Sequence, residues 1–245
     1  MKNQNLWKPT KYIYRNCRLM GSRDSNEVGI GSRLITDMVA GFYSRFIPLY
    51  VKGKLLDLGC GSVPLFHVYR KYVNDITCVD WENTIHKNKF LDFECDITKK
   101  LIFKDGEFDT IILSDVLEHI PNPEFLWTEM ARILSPNGII IINVPFLYWI
   151  HEKPYDYFRF TEFALRHYVN TSNLKLLQLE AIGGFPELMA DLFGKFFQYI
   201  PLVGKILSIS IQTITKIFIQ TNLGNRLSKK SKPTFPLGYF LIVQK

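Results

Sequence analysis

Residues 54–62 read Lys-Leu-Leu-Asp-Leu-Gly-Cys-Gly-Ser, an apolar run that carries Asp57 and breaks at two glycines. A glycine turn after a buried strand and before a helix lets backbone approach a ligand closely. Asp57 stands two residues before Gly59, and Asp80 closes the next apolar run, 19 residues after Gly61. A carboxylate at that place can accept both hydroxyls of a ribose. Asp96-Ile97 follows a third segment. The charge of these groups selects among ligands. A pyrophosphate would be repelled by Asp57, and a nicotinamide fingerprint wants a third glycine where this chain has Pro64. A ligand bearing an ammonium and a sulfonium would be attracted.

A second constellation suits an acceptor. His119 lies in Leu-Glu-His-Ile, and residues 151–161 read His-Glu-Lys-Pro-Tyr-Asp-Tyr-Phe-Arg-Phe-Thr. That block follows an isoleucine-rich run, so it falls at the carboxyl edge of a sheet, where open α/β sheets bind ligands. A hydroxyl acceptor must lose its proton, and His151, Asp156 and His119 are the candidate bases. Tyr155 offers an aromatic face, and Arg159 suits a phosphate or carboxylate. Each has a plainer reading. Asp156 and Arg159 can clamp a loop, Thr161 can cap the helix that opens at Glu162, and His119 can serve only to orient the cofactor loop.

The elements that must position these groups alternate. Residues 31–48 fit a helix that stops at Pro48. Strands are expected at 54–58, 76–79, 108–113 and 138–144, with helices at 64–73 and 123–134, the latter ended by Pro136-Asn137-Gly138. Alternation of this kind implies a parallel sheet with helices on both faces, an α/β class. Residues 174–181 and 239–243 look like closing strands. Three segments result: an N-terminal cap at 1–50, a main domain at 51–184 and 237–245, and a mostly helical insertion at 185–236.

The strings LLDLGCG, FDTIILSDVLEHI and ARILSPNGIIIINVP, with Asp80 between the first two, resemble the class I S-adenosylmethionine-dependent methyltransferase family over residues 51–184. The resemblance implies a Rossmann-like seven-stranded sheet whose last strand is antiparallel, and S-adenosyl-L-methionine as cofactor. It implies Asp57 toward the methionine amine, Gly59 and Gly61 under the methionine and ribose, and Asp80 on the ribose diol. Trp81 would cover the adenine, Asp96 and Ile97 would meet its edge, and Ser114 would lie under the methionine end. The run PFLYWIHEKPYDYFRFT also resembles a subgroup associated with bacterial surface-polysaccharide biosynthesis. That implies O-methylation of a glycan or glycolipid. A small apolar acceptor, quinone-like or lipid, is the alternative, and a non-catalytic membrane-bound scaffold is a third.

The 245 residues carry a formal charge of +7, and no acid occurs after Asp191. Lys195, Lys205, Lys216, Arg226, Lys229, Lys230, Lys232 and Lys245 all lie beyond it, so the basicity belongs to one segment. Within 205–219, Lys205, Ser208, Gln212 and Lys216 share one helical face and Ile206, Leu207, Ile211, Ile214, Ile217 and Phe218 fill the other. An interfacial helix on an anionic membrane surface, reached through 193–232, is expected; a core cap or a dimer face are the alternatives. The oligomeric state stays open. Nucleic acid is set aside: Asn143-Val144-Pro145-Phe146 is similar to an element of base methyltransferases but follows the wrong strand. Cys17, Cys60, Cys78 and Cys95 form no C-x-x-C pair, and no cluster has zinc-ligand spacing, so no metal is expected. Unpaired cysteines, a polar N-terminus and no long apolar run point to a cytoplasmic protein, peripheral on the inner face of a membrane.

Overall fold

The computed structural model describes residues 1–81 and 89–245. In chain order the elements are β1 (Tyr12–Arg15), β2 (Arg18–Gly21), α1 (Arg33–Tyr50), β3 (Lys54–Leu58), α2 (Phe66–Tyr69), β4 (Asp75–Asp80), β5 (Phe93–Glu94), β6 (Phe108–Ser114), α3 (Pro123–Ile133), β7 (Leu134–Pro145), α4 (Glu162–Thr171), β8 (Lys175–Ile182), α5 (Phe185–Phe196), α6 (Gly204–Phe218), α7 (Asn222–Ser231) and β9 (Gly238–Gln244). The chain divides into two compact units. One holds Met1–Pro9, Arg45–Glu180 and Phe240–Lys245; the other holds Thr10–Ser44 and Ala181–Tyr239.

Among the described residues, seven strands form one sheet in the order β5-β4-β3-β6-β7-β9-β8. Strands β3, β4, β5, β6 and β7 pair in parallel. The Lys245 N–H donates to the Gly138 carbonyl and the Asn137 N–H to the Lys245 carbonyl, so the end of β9 lies beside the start of β7 and the two run antiparallel. This is the Rossmann-like seven-stranded sheet expected from the sequence, with helices flanking it. The central strands are apolar on both faces because both are covered: Leu55, Leu56, Ile111, Ile112, Ile140 and Ile141 have no exposure. Trp127, Met130 and Ile133 of α3 supply the facing layer, and Cys78 fills a small core position.

Three boundaries differ from the sequence expectation. Helix α1 runs through Pro48 to Tyr50. A proline in the last turn sacrifices only its own N–H, and its φ is already helical. The helix expected over 64–73 is one α turn, α2, continued as a tighter turn at Arg70–Tyr72. The turn expected at Pro136-Asn137-Gly138 is a bulge inside β7: Asn137 takes φ +60°, and the register against β6 shifts between Phe108 and Thr110.

In the second unit β1 and β2 form a hairpin whose turn residues, Asn16 and Cys17, both have positive φ, as a two-residue turn matched to strand twist requires. Asp37 of α1 ties it together. Its carboxylate takes both Arg23 nitrogens (3.0 and 2.7 Å), the Gly21 N–H (3.1 Å) and Lys216 Nζ of α6 (2.8 Å). Burial raises the Asp37 pKa, but the Arg23 and Lys216 cations outweigh it and the net shift is downward. Helix α6 turns its small and polar face inward, with Gly204, Ser208, Gln212 and Thr215 buried. Gln212 Nε2 donates to the Ile30 carbonyl (2.6 Å) and the Ser208 carbonyl (3.0 Å), while its Oε1 accepts from the Leu34 N–H (2.9 Å) in the first turn of α1. It therefore caps another helix.

Replacing Gln212 by alanine leaves that N–H and carbonyl buried and unpaired. A loss of about 1–3 kcal/mol is expected, with Tm falling roughly 2–4 °C per kcal/mol for a chain of this size. The exposed neighbour Thr213→Ala should leave thermal unfolding unchanged; equal effects of the two would show that the cap contributes nothing.

Candidate active site

The carboxyl ends of β3, β4, β6 and β7 finish side by side, so the side chains they carry share one edge of the sheet. At the end of β3 the chain must turn without covering that edge. Gly59 does so at φ +73°, where an added Cβ would stand 2.6 Å from a Val116 methyl, and Gly61 follows at φ +50°. The Gly59 and Cys60 N–H groups both donate to the Val79 carbonyl, which ties the turn to β4.

Asp57 is buried, and its Oδ2 accepts from the Tyr69 hydroxyl at 2.9 Å. Burial is the main reason its pKa rises to about 7; Tyr69 opposes the shift and the nearby Asp80 carboxylate adds to it. Asp80 ends β4 with Oδ2 accepting the Gly61 N–H (2.8 Å) and Oδ1 accepting the Trp81 N–H (2.8 Å). A buried carboxylate beside a glycine turn, with a second one held face-on by backbone, fits a cofactor that brings an ammonium and a ribose diol. Asp57 would hold the first and Asp80 the second. Ser114 ends β6, its hydroxyl 3.5 Å from Asp115 Oδ2. Asp96 serves a local turn: Oδ1 takes the Thr98 N–H and hydroxyl, and Oδ2 pairs with Lys99 at 2.9 Å. Ile97 beside it is buried.

Trp81 and Tyr155 meet edge to face at 4.8 Å, so the wall assigned to adenine continues into the loop assigned to the acceptor. That loop is anchored by Glu118, whose backbone carbonyl accepts the Tyr157 and Phe158 N–H groups (2.9 and 3.2 Å). His119 Nδ1 sits 2.7 Å from the Tyr155 carbonyl, and the His119 and His151 rings stand 4.8 Å apart. The two histidines that sequence reading kept as separate candidates are thus adjacent. Between them lies the Glu118 carboxylate, which has no exposure; its Oε1 is 3.7 Å from Nε2 of each imidazole. Burial raises the Glu118 pKa. Burial alone would lower that of His151, but the Glu118 and Asp156 carboxylates reverse it and the net shift is upward.

Asp156 and Arg159 hold the loop. All five guanidinium N–H donors are spent: Nε on the Tyr148 carbonyl, Nη1 on Asp156 Oδ1 and the Phe158 carbonyl, Nη2 on Asp156 Oδ2 and the Trp149 carbonyl. Asp156 also accepts the His151 N–H at 2.9 Å. Burial would raise its pKa, but Arg159 and His151 hold it at about 2, so this carboxylate is not equipped to take a proton near neutral pH. Thr161 caps α4 by accepting the Ala164 N–H. For these three the plainer reading is what the packing does.

Sequence reasoning missed Glu118, Tyr69 and the Asp115–Asn143 pair. The Asn143 side-chain amide donates to Asp115 Oδ1, and the Asp115 N–H to the Asn143 carbonyl at 2.9 Å, pinning β6 to β7 where Asp115 adopts φ +54°. Glu118 had a signal, an acid inside Leu-Glu-His-Ile. The others are visible only as contacts.

Residues 56–142 match the family model described as a methyltransferase domain. The ubiquinone biosynthesis O-methyltransferase of Maricaulis maris is 26% identical over 98 residues, 36% of this chain and 39% of that protein. Its counterpart in Coxiella burnetii is 27% identical over 165 residues, 56% of this chain and 70% of that protein. A solved S-adenosylmethionine-dependent methyltransferase from Archaeoglobus fulgidus superposes with a TM-score of 0.56 at 17% identity, covering 84% of this chain and 93% of that one, a likeness of fold.

The raised pKa of Asp57 sets a pH dependence. Below about 7 its carboxyl is protonated in the free protein, while an ammonium is held by the carboxylate form. Affinity for S-adenosylmethionine should therefore fall by about tenfold per pH unit from 7 down to 5, the slope of one linked proton. Calorimetric titration checks this, and Asp57→Asn should be weak and flat across the range. A wild-type affinity that does not change with pH would remove the assignment.

Proposed function

We propose that this chain is a class I S-adenosylmethionine-dependent methyltransferase that O-methylates a hydroxyl on an apolar, ring-bearing acceptor. S-adenosylmethionine, when bound, supplies an electrophilic methyl group on a sulfonium. The chain's own tasks are to hold that cofactor through Asp57 and Asp80, present the acceptor in line at about 3 Å in a dry site, and remove the hydroxyl proton. The observation that carries the reading is the Glu118–His119–His151 cluster next to the Trp81–Tyr155 aromatic wall. The cluster gives the hydroxyl proton a destination, and the wall gives a ring a face. Arg159, the group suited to a phosphate or carboxylate, is consumed by the loop. The relatives named for ubiquinone biosynthesis support the same acceptor class.

A sugar of a lipid-linked or nascent surface glycan is the second reading. It is favoured by the exposed rings of Trp149, Tyr157 and Phe158, whose faces suit a pyranose. The two separate by where label goes. Radiolabelled methyl from S-adenosylmethionine should enter the solvent-extractable neutral lipid of source membranes, with Asp80→Ala as the blank. Label released by mild acid as a water-soluble sugar would establish the glycan instead. A His151→Ala, Asp156→Ala double variant should lose turnover, and unchanged turnover would remove His151 from the reaction.

The exposed apolar face of α6 in the second unit supports a peripheral membrane location, the reading the sequence offered first. With the polar face of α6 packed inward, its apolar residues face out: Ile206, Ile214 and Ile217 are each more than 60% exposed, and Leu202 in the connection from α5 is 99% exposed. Phe196, Tyr199 and Val203 extend the patch. Among the described residues no helix is long and apolar enough to cross a membrane. An apolar patch of this size wants cover, and the charges around it name the cover. Lys205, Arg226, Lys229 and Lys230 are exposed, whereas Glu187 and Asp191 are buried and paired with Ser228 and Lys195. The occupant is an anionic bilayer surface. Sedimentation with phosphatidylserine or phosphatidylglycerol vesicles is expected, weakening in high salt and lost in Leu202→Ser, Ile206→Ser. Indifference to vesicles together with concentration-dependent dimerisation would assign the face to a second copy of the chain.

A further inference from the structure

We propose that Glu118, His119 and His151 form a binding site for a divalent transition-metal ion. The three are contributed by the turn after β6 and the loop after β7, and one ligand atom from each lies within 4.8 Å of the others. Glu118 Oε1 stands 3.7 Å from Nε2 of both imidazoles. A four-coordinate ion with bonds of about 2.0–2.1 Å sets its ligand atoms roughly 3.4 Å apart, so these atoms need only small rotations to close on one.

The cluster has the marks of a cation site rather than of a hydrogen-bonded trio. Both Glu118 oxygens are buried without a hydrogen-bond partner, and so is His119 Nε2. A fully buried carboxylate left like this is costly unless a cation joins it. Both imidazoles are turned by a partner on their far nitrogen. His119 Nδ1 lies 2.7 Å from the Tyr155 carbonyl; His151 Nδ1 lies 3.3 Å from the Trp149 carbonyl and 3.4 Å from Asp156 Oδ2. With protons on both Nδ1 atoms, both Nε2 lone pairs would face one ion beside the carboxylate. Backing of a ligating histidine by a carbonyl or carboxylate is the usual support of a metal centre. In this light the Asp156–Arg159 clamp is a positioning device, holding the carboxylate that orients His151.

Two imidazoles and one carboxylate favour zinc, cobalt, manganese or iron(II) over magnesium or calcium. Three protein ligands leave an open position. Glu152, with an exposed side chain whose Oε2 is 3.9 Å from His119 Nε2, is the protein group nearest to filling it. Resting on the O-methyl transfer reading, the oxygen that replaces it would be the acceptor's hydroxyl; the ion would weaken its O–H bond, and the displaced Glu152 carboxylate would take the proton in place of the ligating imidazoles.

The test measures the ion directly. The full-length chain, stripped by chelator and titrated with Co²⁺, should take up one equivalent and develop the intense visible absorption of a low-coordinate cobalt centre; Zn²⁺ should bleach it by competition. His151→Asn should weaken uptake by more than the 10–100-fold that loss of a supporting partner costs, and Glu118→Gln should abolish it. Retained S-adenosylmethionine binding in both variants shows that they are folded. No uptake by the wild type, or uptake unchanged in both folded variants, overturns the site. Because the readout needs neither acceptor nor methyl donor, cobalt binding without methyl transfer to an apolar acceptor would sink the functional reading and leave the metal site standing.

Discussion

Parallel strands that end together gather the side chains at and just beyond their ends, and here four of those side chains are acids. Asp57, Asp80, Asp115 and Glu118 all occupy the carboxyl edge formed by β3, β4, β6 and the turn that follows. Carboxylates so close repel one another and dislike burial. The pKa of Asp57 rises to about 7 and that of Glu118 rises too, for both reasons. Such an edge is relieved by cations. On the cofactor side the relief is an ammonium and a sulfonium; on the acceptor side it is two imidazoles and, in our reading, a metal ion. The same electrostatic deficit explains why an anionic pyrophosphate is a poor ligand for a fold that binds dinucleotides elsewhere.

Stability and function pull apart at this edge. A carboxyl whose pKa is raised by folding costs nothing while protonated and opposes folding as pH rises through the interval between its ordinary value and the raised one. For Asp57 that interval ends near 7, so the free protein carries the strain at neutral pH and the bound ammonium removes it. Asp37 in the second unit is the reverse case. Its lowered pKa makes the Arg23 and Lys216 pairs stabilising at neutral pH and lost as acid protonates it. One carboxylate is strained for a ligand, the other spent on holding α1, α6 and the hairpin together.

The second unit also shows why an amphipathic pattern does not say which face goes inside. The helix over 205–219 has the expected two faces, yet the buried one is polar, because Gln212 can satisfy the Leu34 N–H and the Ile30 carbonyl that α1 and its approach leave open. Burying a polar residue that completes several hydrogen bonds costs little. The isoleucines Ile206, Ile214 and Ile217 are left outside.

The sequence by itself determined the alternating α/β order, the parallel sheet and the place of Asp57 and Asp80 at the strand ends beside the glycine turn. Asp57, Gly59, Gly61 and Asp80 are legible because a turn between a strand and a helix is a local object: the residues that make it are neighbours in the chain, and only glycine tolerates the positive φ. The acceptor side was decided by tertiary structure. His119 and His151 are 32 residues apart and have no spacing rule to connect them; they meet because β6 and β7 are adjacent and both end at the same edge. In one dimension Asp156 reads as a base or a clamp and Arg159 as an anion ligand or a clamp; the clamp is visible only in three, since only the folded loop brings the carbonyls of Tyr148, Trp149 and Phe158 around one guanidinium. Which face of α6 is buried was likewise beyond the sequence, because a helix's pattern records what differs around its axis and its neighbour decides which side is kept.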